Sequence, residues 1–161
     1  MKEDIEKKPK PEKKLIGRRE LVAFPELGID EIEAKVDTGA YTSAIHCSDI
    51  HEEVRADGTK VICLDLLDPS HPQYNHKKLE FTEYHLRDIK SSFGEVQQRY
   101  VITTKIQVYD ELIEAEFSLS DRSDMKYPVL IGRKLLQKRF IVDVSRKNVA
   151  RKYKIKQNQK K

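Results

Sequence analysis

The amino-acid sequence predicts a mostly-β domain with one late helix. Apolar residues recur with a period of two through the middle of the chain, and the one helical grouping, residues 133–138, comes near the end. A small closed barrel or a sandwich is the expected way for such a chain to protect its strand edges.

Residues 1–14 hold Pro9, Pro11 and six lysines without apolar periodicity, and read as a flexible charged arm. Ile32, Ala34 and Val36 then alternate with Glu31, Glu33 and Lys35, a half-buried strand that runs into Asp37. Residues 61–67 are nearly all apolar and read as a more buried strand. Tyr100, Ile102, Thr104, Ile106 and Val108 share one face, opposite Thr103, Lys105 and Gln107. After a turn near Tyr109-Asp110, Ile113, Ala115, Phe117 and Leu119 alternate with Glu114, Glu116 and Ser118, which predicts an antiparallel hairpin. Residues 128–131 form a short buried strand ended by Gly132, and residues 140–144 return to strand after the helix. From Arg146 the chain is rich in Lys, Arg, Gln and Asn, with Val149, Tyr153 and Ile155 able to dock locally. The division is an arm at 1–14, a domain at 15–145 and a basic tail at 146–161.

At 161 residues one domain is favoured. Apolar residues are 38% and charged residues 36%, so the surface is heavily charged while a core remains affordable. No apolar run reaches the ~18–20 residues that span a bilayer, and the start lacks the apolar stretch of a secretory signal. A cytoplasmic protein without membrane contact is expected. Cys47 and Cys63 are too few for a disulfide scaffold or a four-cysteine zinc site, and read as free thiols. The net charge of +4 divides into +2 for 1–14, −6 for 15–145 and +8 for 146–161. That tail invites a nucleic-acid reading, but Tyr153 is its only aromatic and no reading module is visible. A solvated or dimer-flanking tail is expected instead.

The most informative residues are Asp37-Thr38-Gly39-Ala40, at a strand end and followed by Thr42-Ser43-Ala44-Ile45. Alone, Asp-Thr-Gly reads equally as a tight turn. An aspartate at a strand end can also present its carboxylate to a cleft and activate water. Gly39 would allow close backbone approach, and the Thr38 hydroxyl could brace the loop. The second element is Leu130-Ile131-Gly132-Arg133-Lys134-Leu135-Leu136, an apolar pair, a glycine and a short helix.

In this order the two elements resemble the retropepsin-like aspartic proteases, whose single-lobe members carry Asp-Thr-Gly-Ala early and Ile-Gly-Arg-x-Leu-Leu late. The chain is more similar still to a bacterial and archaeal branch named ATP-dependent zinc proteases. The matching blocks are residues 16–20, 25–29, 36–40, 42–46, 90–94, 120–123, 127–133 and 140–143. The resemblance implies a closed acid-protease barrel with one short C-terminal helix, and an aspartic-type endopeptidase with Asp37, Thr38 and Gly39 as its catalytic loop. Asp121 and Asp143 lack the following Thr/Ser-Gly, so the second catalytic aspartate would come from a second copy in a C2 homodimer. Two carboxylates ~4 Å apart repel by roughly 4 kcal/mol at an effective dielectric near 20, enough to make the pair share one proton. One would act as base on water and the other as acid. By position the substrate-covering hairpin tip is residues 90–94, with one glycine where retropepsins have several. Ala40, Ser92, Phe93, Gly94 and Ile131 are the substrate-binding candidates. The stretch from Ile45 to Leu86 is long for a minimal retropepsin and suggests an extra hairpin with residues 69–72 near its tip.

Three other readings have some support. His51-Glu52-Glu53-Val54-Arg55 is half of His-Glu-x-x-His, with arginine in place of the second ligand. His46, Cys47 and His51 are the best ligands for a zinc-dependent hydrolase, but no recognised ligand spacing is present, and no metal or other cofactor is expected. Gly132-Arg133-Lys134 lacks the remainder of a P-loop, so no ATP cradle is visible. A non-catalytic peptide-binding module of the same fold is the remaining alternative. Family members are associated with ATP-grasp ligases that append amino acids to protein tails, which suggests a modified peptide tail as substrate. Lys90, Arg122 and Arg133 would be its acidic-peptide contacts, and Arg133 also has the retropepsin role of supporting the dimer and the active-site loop.

Overall fold

In the computed structural model, residues 12–74, 76–91, 93–121 and 126–152 are described. Ser92, Arg122, Ser123, Tyr153 and Ile155 lie outside them. The described chain runs β1 (Lys14–Ile16), β2 (Arg19–Phe24), a 3-10 turn (Pro25–Leu27), β3 (Ile29–Val36), β4 (Ser43–Val54), β5 (Lys60–Leu66) and β6 (Lys78–Phe81). It continues with β7 (His85–Lys90), β8 (Val96–Val108), β9 (Glu111–Ser120), β10 (Val129–Ile131), α1 (Arg133–Leu136) and β11 (Phe140–Val142). The domain is mostly β, as the period-two pattern predicts. Among the described residues no helix is long and apolar enough to cross a membrane.

The pairings run β10–β3–β2–β8–β9–β4, and β4 pairs again with β10. β10 is thus hydrogen-bonded on both sides, parallel to β3 and antiparallel to β4. This explains why residues 129–131 are so apolar: Val129 and Ile131 are buried beneath strands on either flank. Phe24 of β2 and Phe117 of β9 meet edge to face inside, with ring centroids 5.3 Å apart. The predicted hairpin is β8–β9, paired from Val101↔Ser118 to Val108↔Glu111. Tyr109 takes a positive φ at its turn.

Beyond β4 the sheet continues through β5 and β6. The extra hairpin expected between Ile45 and Leu86 is β5–β6, with residues 69–72 in its connection. β7 pairs with the outer half of β8 and forms a long projecting hairpin with it.

Three boundaries differ from expectation. The helix ends at Leu136, because Gln137 already has extended dihedrals. β11 pairs in parallel with β1, outside the large sheet, so Lys14 belongs to the domain and not to the arm. The packed structure also continues past 145. Arg18 N donates to Arg146 O at 2.8 Å, Asn148 N donates to Arg19 O at 2.9 Å, and Ala150 is buried at the start of a last helical turn. Gly17 is required at this seam, since a Cβ there would lie 2.4 Å from the Arg146 carbonyl oxygen.

Candidate active site

Asp37 follows the last residue of β3, where the strand's apolar alternation stops. Its backbone N–H donates to Ile131 O at 2.9 Å, so the parallel β3–β10 pairing extends one residue to fix the aspartate. Its Oδ1 accepts the Gly39 N–H at 3.0 Å, and its carbonyl accepts the Ala40 N–H at 3.2 Å. The result is a tight Asx turn in which Thr38 and Gly39 are exposed and Ala40 is buried. The turn and the presentation of the carboxylate are thus two aspects of one geometry.

The late motif grips this loop from the other side. Arg133 N donates to Ala40 O at 2.8 Å and Lys134 N to Tyr41 O at 3.0 Å. The Arg133 Nη1 donates to Thr38 O at 2.8 Å, and its guanidinium lies over the Tyr41 ring, 5.8 Å from the centroid. Gly132 N donates to Ser43 Oγ at 3.0 Å. Ile131 is buried to 1% exposure, so what it contributes to the site is the carbonyl that holds Asp37, with its side chain in the core. For Thr38 too, it is the backbone carbonyl that is held. Support of the loop by Arg133 matches the role the resemblance implies.

Beside the loop, Glu116 accepts from Arg87 Nη2 at 2.7 Å and from Lys134 Nζ. These two cations hold its carboxyl at about 2, well below the usual carboxylate range. Lys134 therefore links the Tyr41 carbonyl to a charged trio joining β7, β9 and α1. The alternation of Glu114, Glu116 and Ser118 marks only a polar strand face, and nothing in it distinguishes Glu116 as the ion-pair centre.

The projecting β7–β8 hairpin carries the expected substrate-covering tip. Ser91 N donates to Glu95 O, Gly94 N donates to Ser91 O, and Gly94 has φ +86°, the left-handed turn position its lone glycine serves. Phe93 stands 92% exposed there. Lys90, at the end of β7, is also exposed.

The three zinc candidates are directed to different partners. His46 is buried with Nε2 2.5 Å from Asp68 Oδ2 and Nδ1 3.9 Å from Asp121 Oδ1. Cys47 points to Ser120 O, and burial pushes its thiol up to about 12, so it stays protonated at neutral pH. His51 pairs with Glu53 on the outer part of β4.

A profile of the RimB-like family, described as retropepsin-like aspartic endopeptidase RimB, matches residues 15–153. The chain is 39% identical over 135 residues to a protein of Shewanella halifaxensis named "Probable alpha-L-glutamate ligase". It is 34% identical over 131 residues to a protein of the same name from Desulfotalea psychrophila. Each alignment covers 81% of this chain and 28% of the relative, so the chain spans little more than a quarter of the length of these relatives. The crystal structure of Lpg0085, a protein of unknown function from Legionella pneumophila, superposes with a TM-score of 0.67. That match covers 86% of this chain and 99% of the other at 21% identity, a likeness of fold. The family match spans both the Asp37 loop and the Gly132 junction that grips it, and the chain belongs to the RimB-like family of retropepsin-like aspartic endopeptidases.

Proposed function

We propose that the protein is an aspartic-type endopeptidase, working as a homodimer in which Asp37 and the partner subunit's Asp37 share a proton and activate water. The observation that carries this reading is the single Asp37-Thr38-Gly39 loop, fixed through Ile131 O and Arg133 in a chain of this family. A carboxylate held by backbone on a rigid strand end is preorganised for general-base work, and its symmetry mate supplies the general acid. The circuit of pairings through β10, β3, β2, β8, β9 and β4 is the closed acid-protease barrel of this reading. The tip carrying Phe93 and Gly94 covers the bound peptide, and Ala40 lines the floor of the site.

The substrate we infer is a peptide tail bearing added glutamate, because the same stretch of sequence recurs within longer relatives named for glutamate ligation. The exposed Lys90 beside the tip suits an acidic chain. That recurrence also favours a second reading, a non-catalytic module that holds such a tail for a ligase.

The test combines sedimentation equilibrium with hydrolysis of glutamate-tailed peptides by the wild type and by Asp37→Asn. Concentration-dependent dimers and cleavage lost in the folded variant are expected. A chain that stays monomeric with peptide present, or cleavage that survives the substitution, overturns the dyad. Peptide binding without cleavage, unchanged in the variant, establishes the binding module.

A further inference from the structure

Beyond the bulge that follows Ser48, β4 becomes largely exposed and pairs with β5, which pairs in turn with β6. The register pairs His51 with Cys63 across β4–β5, and Cys63 with Glu80 across β5–β6. Two residues further along β4, Glu53 returns to the same face. One donor atom from each of His51, Glu53 and Cys63 lies within 4.8 Å of the others. His51 Nε2 is 2.9 Å from Glu53 Oε1, and Cys63 Sγ is 3.9 Å from Glu80 Oε1. All four residues belong to β4, β5 and β6, and the proposed peptidase chemistry uses none of them.

We propose that His51, Glu53, Cys63 and Glu80 form a zinc site that clips β4, β5 and β6 together. Zinc–donor bonds of about 2.0–2.3 Å in a tetrahedron set the donors roughly 3.3–3.8 Å apart, between the shortest and the widest of these spacings, and side-chain rotation supplies the difference. A thiolate with an imidazole selects zinc over magnesium or calcium, whose sites are built from oxygen. Four protein donors leave no open position, so the site is structural. Arg55 serves the two carboxylates, 3.2 Å from Glu53 and also paired with Glu80. Zinc binding therefore displaces Arg55, and the arginine competes with the ion. This inference stands apart from the reading of Asp37.

The test uses the full chain, reduced and stripped of metal with a chelator, with cobalt(II) as the probe. One equivalent is expected to give a near-ultraviolet thiolate-to-cobalt charge-transfer band and visible ligand-field bands, both removed by stoichiometric zinc. Cys63→Ser loses the charge-transfer band although Cys47 remains. His51→Ala at a half-buried position and Glu53→Gln at an exposed one weaken zinc binding at least tenfold, and Arg55→Ala tightens it by removing the competing cation. A wild type without the charge-transfer band, or a band that survives Cys63→Ser, overturns the site. Should Cys63→Ser fail to fold, unchanged affinity in both His51→Ala and Glu53→Gln overturns it equally.

Discussion

Gly132 is packed directly against the Tyr41 carbonyl: a Cβ on Gly132 would stand 2.7 Å from Tyr41 O and 2.9 Å from the Thr42 carbonyl carbon. Both neighbours are backbone, held against Gly132 by the Lys134 N–H on Tyr41 O and by the Gly132 N–H on Ser43 Oγ. Neither can step aside without moving the loop that carries Asp37. The glycine is required here for close approach, since its own φ of −92° is open to any residue.

Gly132→Ala is therefore expected to destabilise the fold by about 1–3 kcal/mol, the usual range for forcing a methyl into a filled space. It should also displace the Asp37 loop. Urea unfolding gives the first quantity, and peptide hydrolysis by the folded fraction gives the second. A variant with wild-type stability and activity would show that the two backbones separate freely.

Glu20 is wholly buried, with its carboxylate accepting N–H groups from Gly17 at 2.8 Å, Val149 at 3.0 Å and Ala150 at 2.9 Å. It joins the first strands to the last helical turn. Glu20→Gln places an amide NH2 against at least one of these donors and leaves it unsatisfied, a loss of about 1–3 kcal/mol. Truncation after Asn148 should cost a similar amount, because it removes two of the three donors. Thermal unfolding of both variants, and of the two combined, checks the coupling. A double variant no worse than either single one is expected.

The strand pattern made much of this fold legible, and where it failed the reasons are local. β3, β8 and β9 bury mainly one face, so their alternation survives in the sequence, and β5 buries both, which leaves an apolar run. The outer half of β4 and the strand β7 are polar or exposed over most of both faces, which removes the period that would mark them, and β6 is only four residues long, too short for its alternation to stand out. Asp37 and Gly132 were visible because close approach and a tight turn restrict residue type. Glu20, Arg87 and Glu116 act chiefly through partners 18 to 130 positions away, and charged residues are too common in this chain for any one to stand out. Likewise the basic composition of 146–152 hides a docked segment, since its attachment is made chiefly by backbone N–H groups.

Glu116 makes the acid limb of stability testable. Its folded carboxyl titrates at about 2, with Arg87 the largest cause and Lys134 the second, against an unfolded value near 4.3. A depressed value gives stability that is present above the unfolded pKa and is lost as pH falls from about 5 toward 2. Glu116→Gln should remove that part of the pH dependence, about 1 kcal/mol once the half-exposed cations are allowed for. The gap in urea midpoint between the two proteins should narrow steadily as pH falls from about 5 toward 2. Parallel curves would mean that the trio contributes nothing to folding.

Phe93 separates substrate binding from folding. At 92% exposure it makes almost no contact within its own chain, so Phe93→Ala should shift the unfolding midpoint by less than about 0.5 kcal/mol. If the hairpin tip closes over a bound peptide, the ring is buried only in the complex. Half of its burial is worth about 1 kcal/mol, or roughly five-fold in affinity. That contact is the same in the ground state and the transition state, so the loss should fall on KM and leave kcat unchanged. Gly94→Ala probes the other half of the device: φ +86° strains any side chain there, which should slow or distort closure and lower kcat as well. Steady-state kinetics on one cleaved peptide distinguishes the two effects, and an unchanged KM in Phe93→Ala would remove the tip from the substrate site.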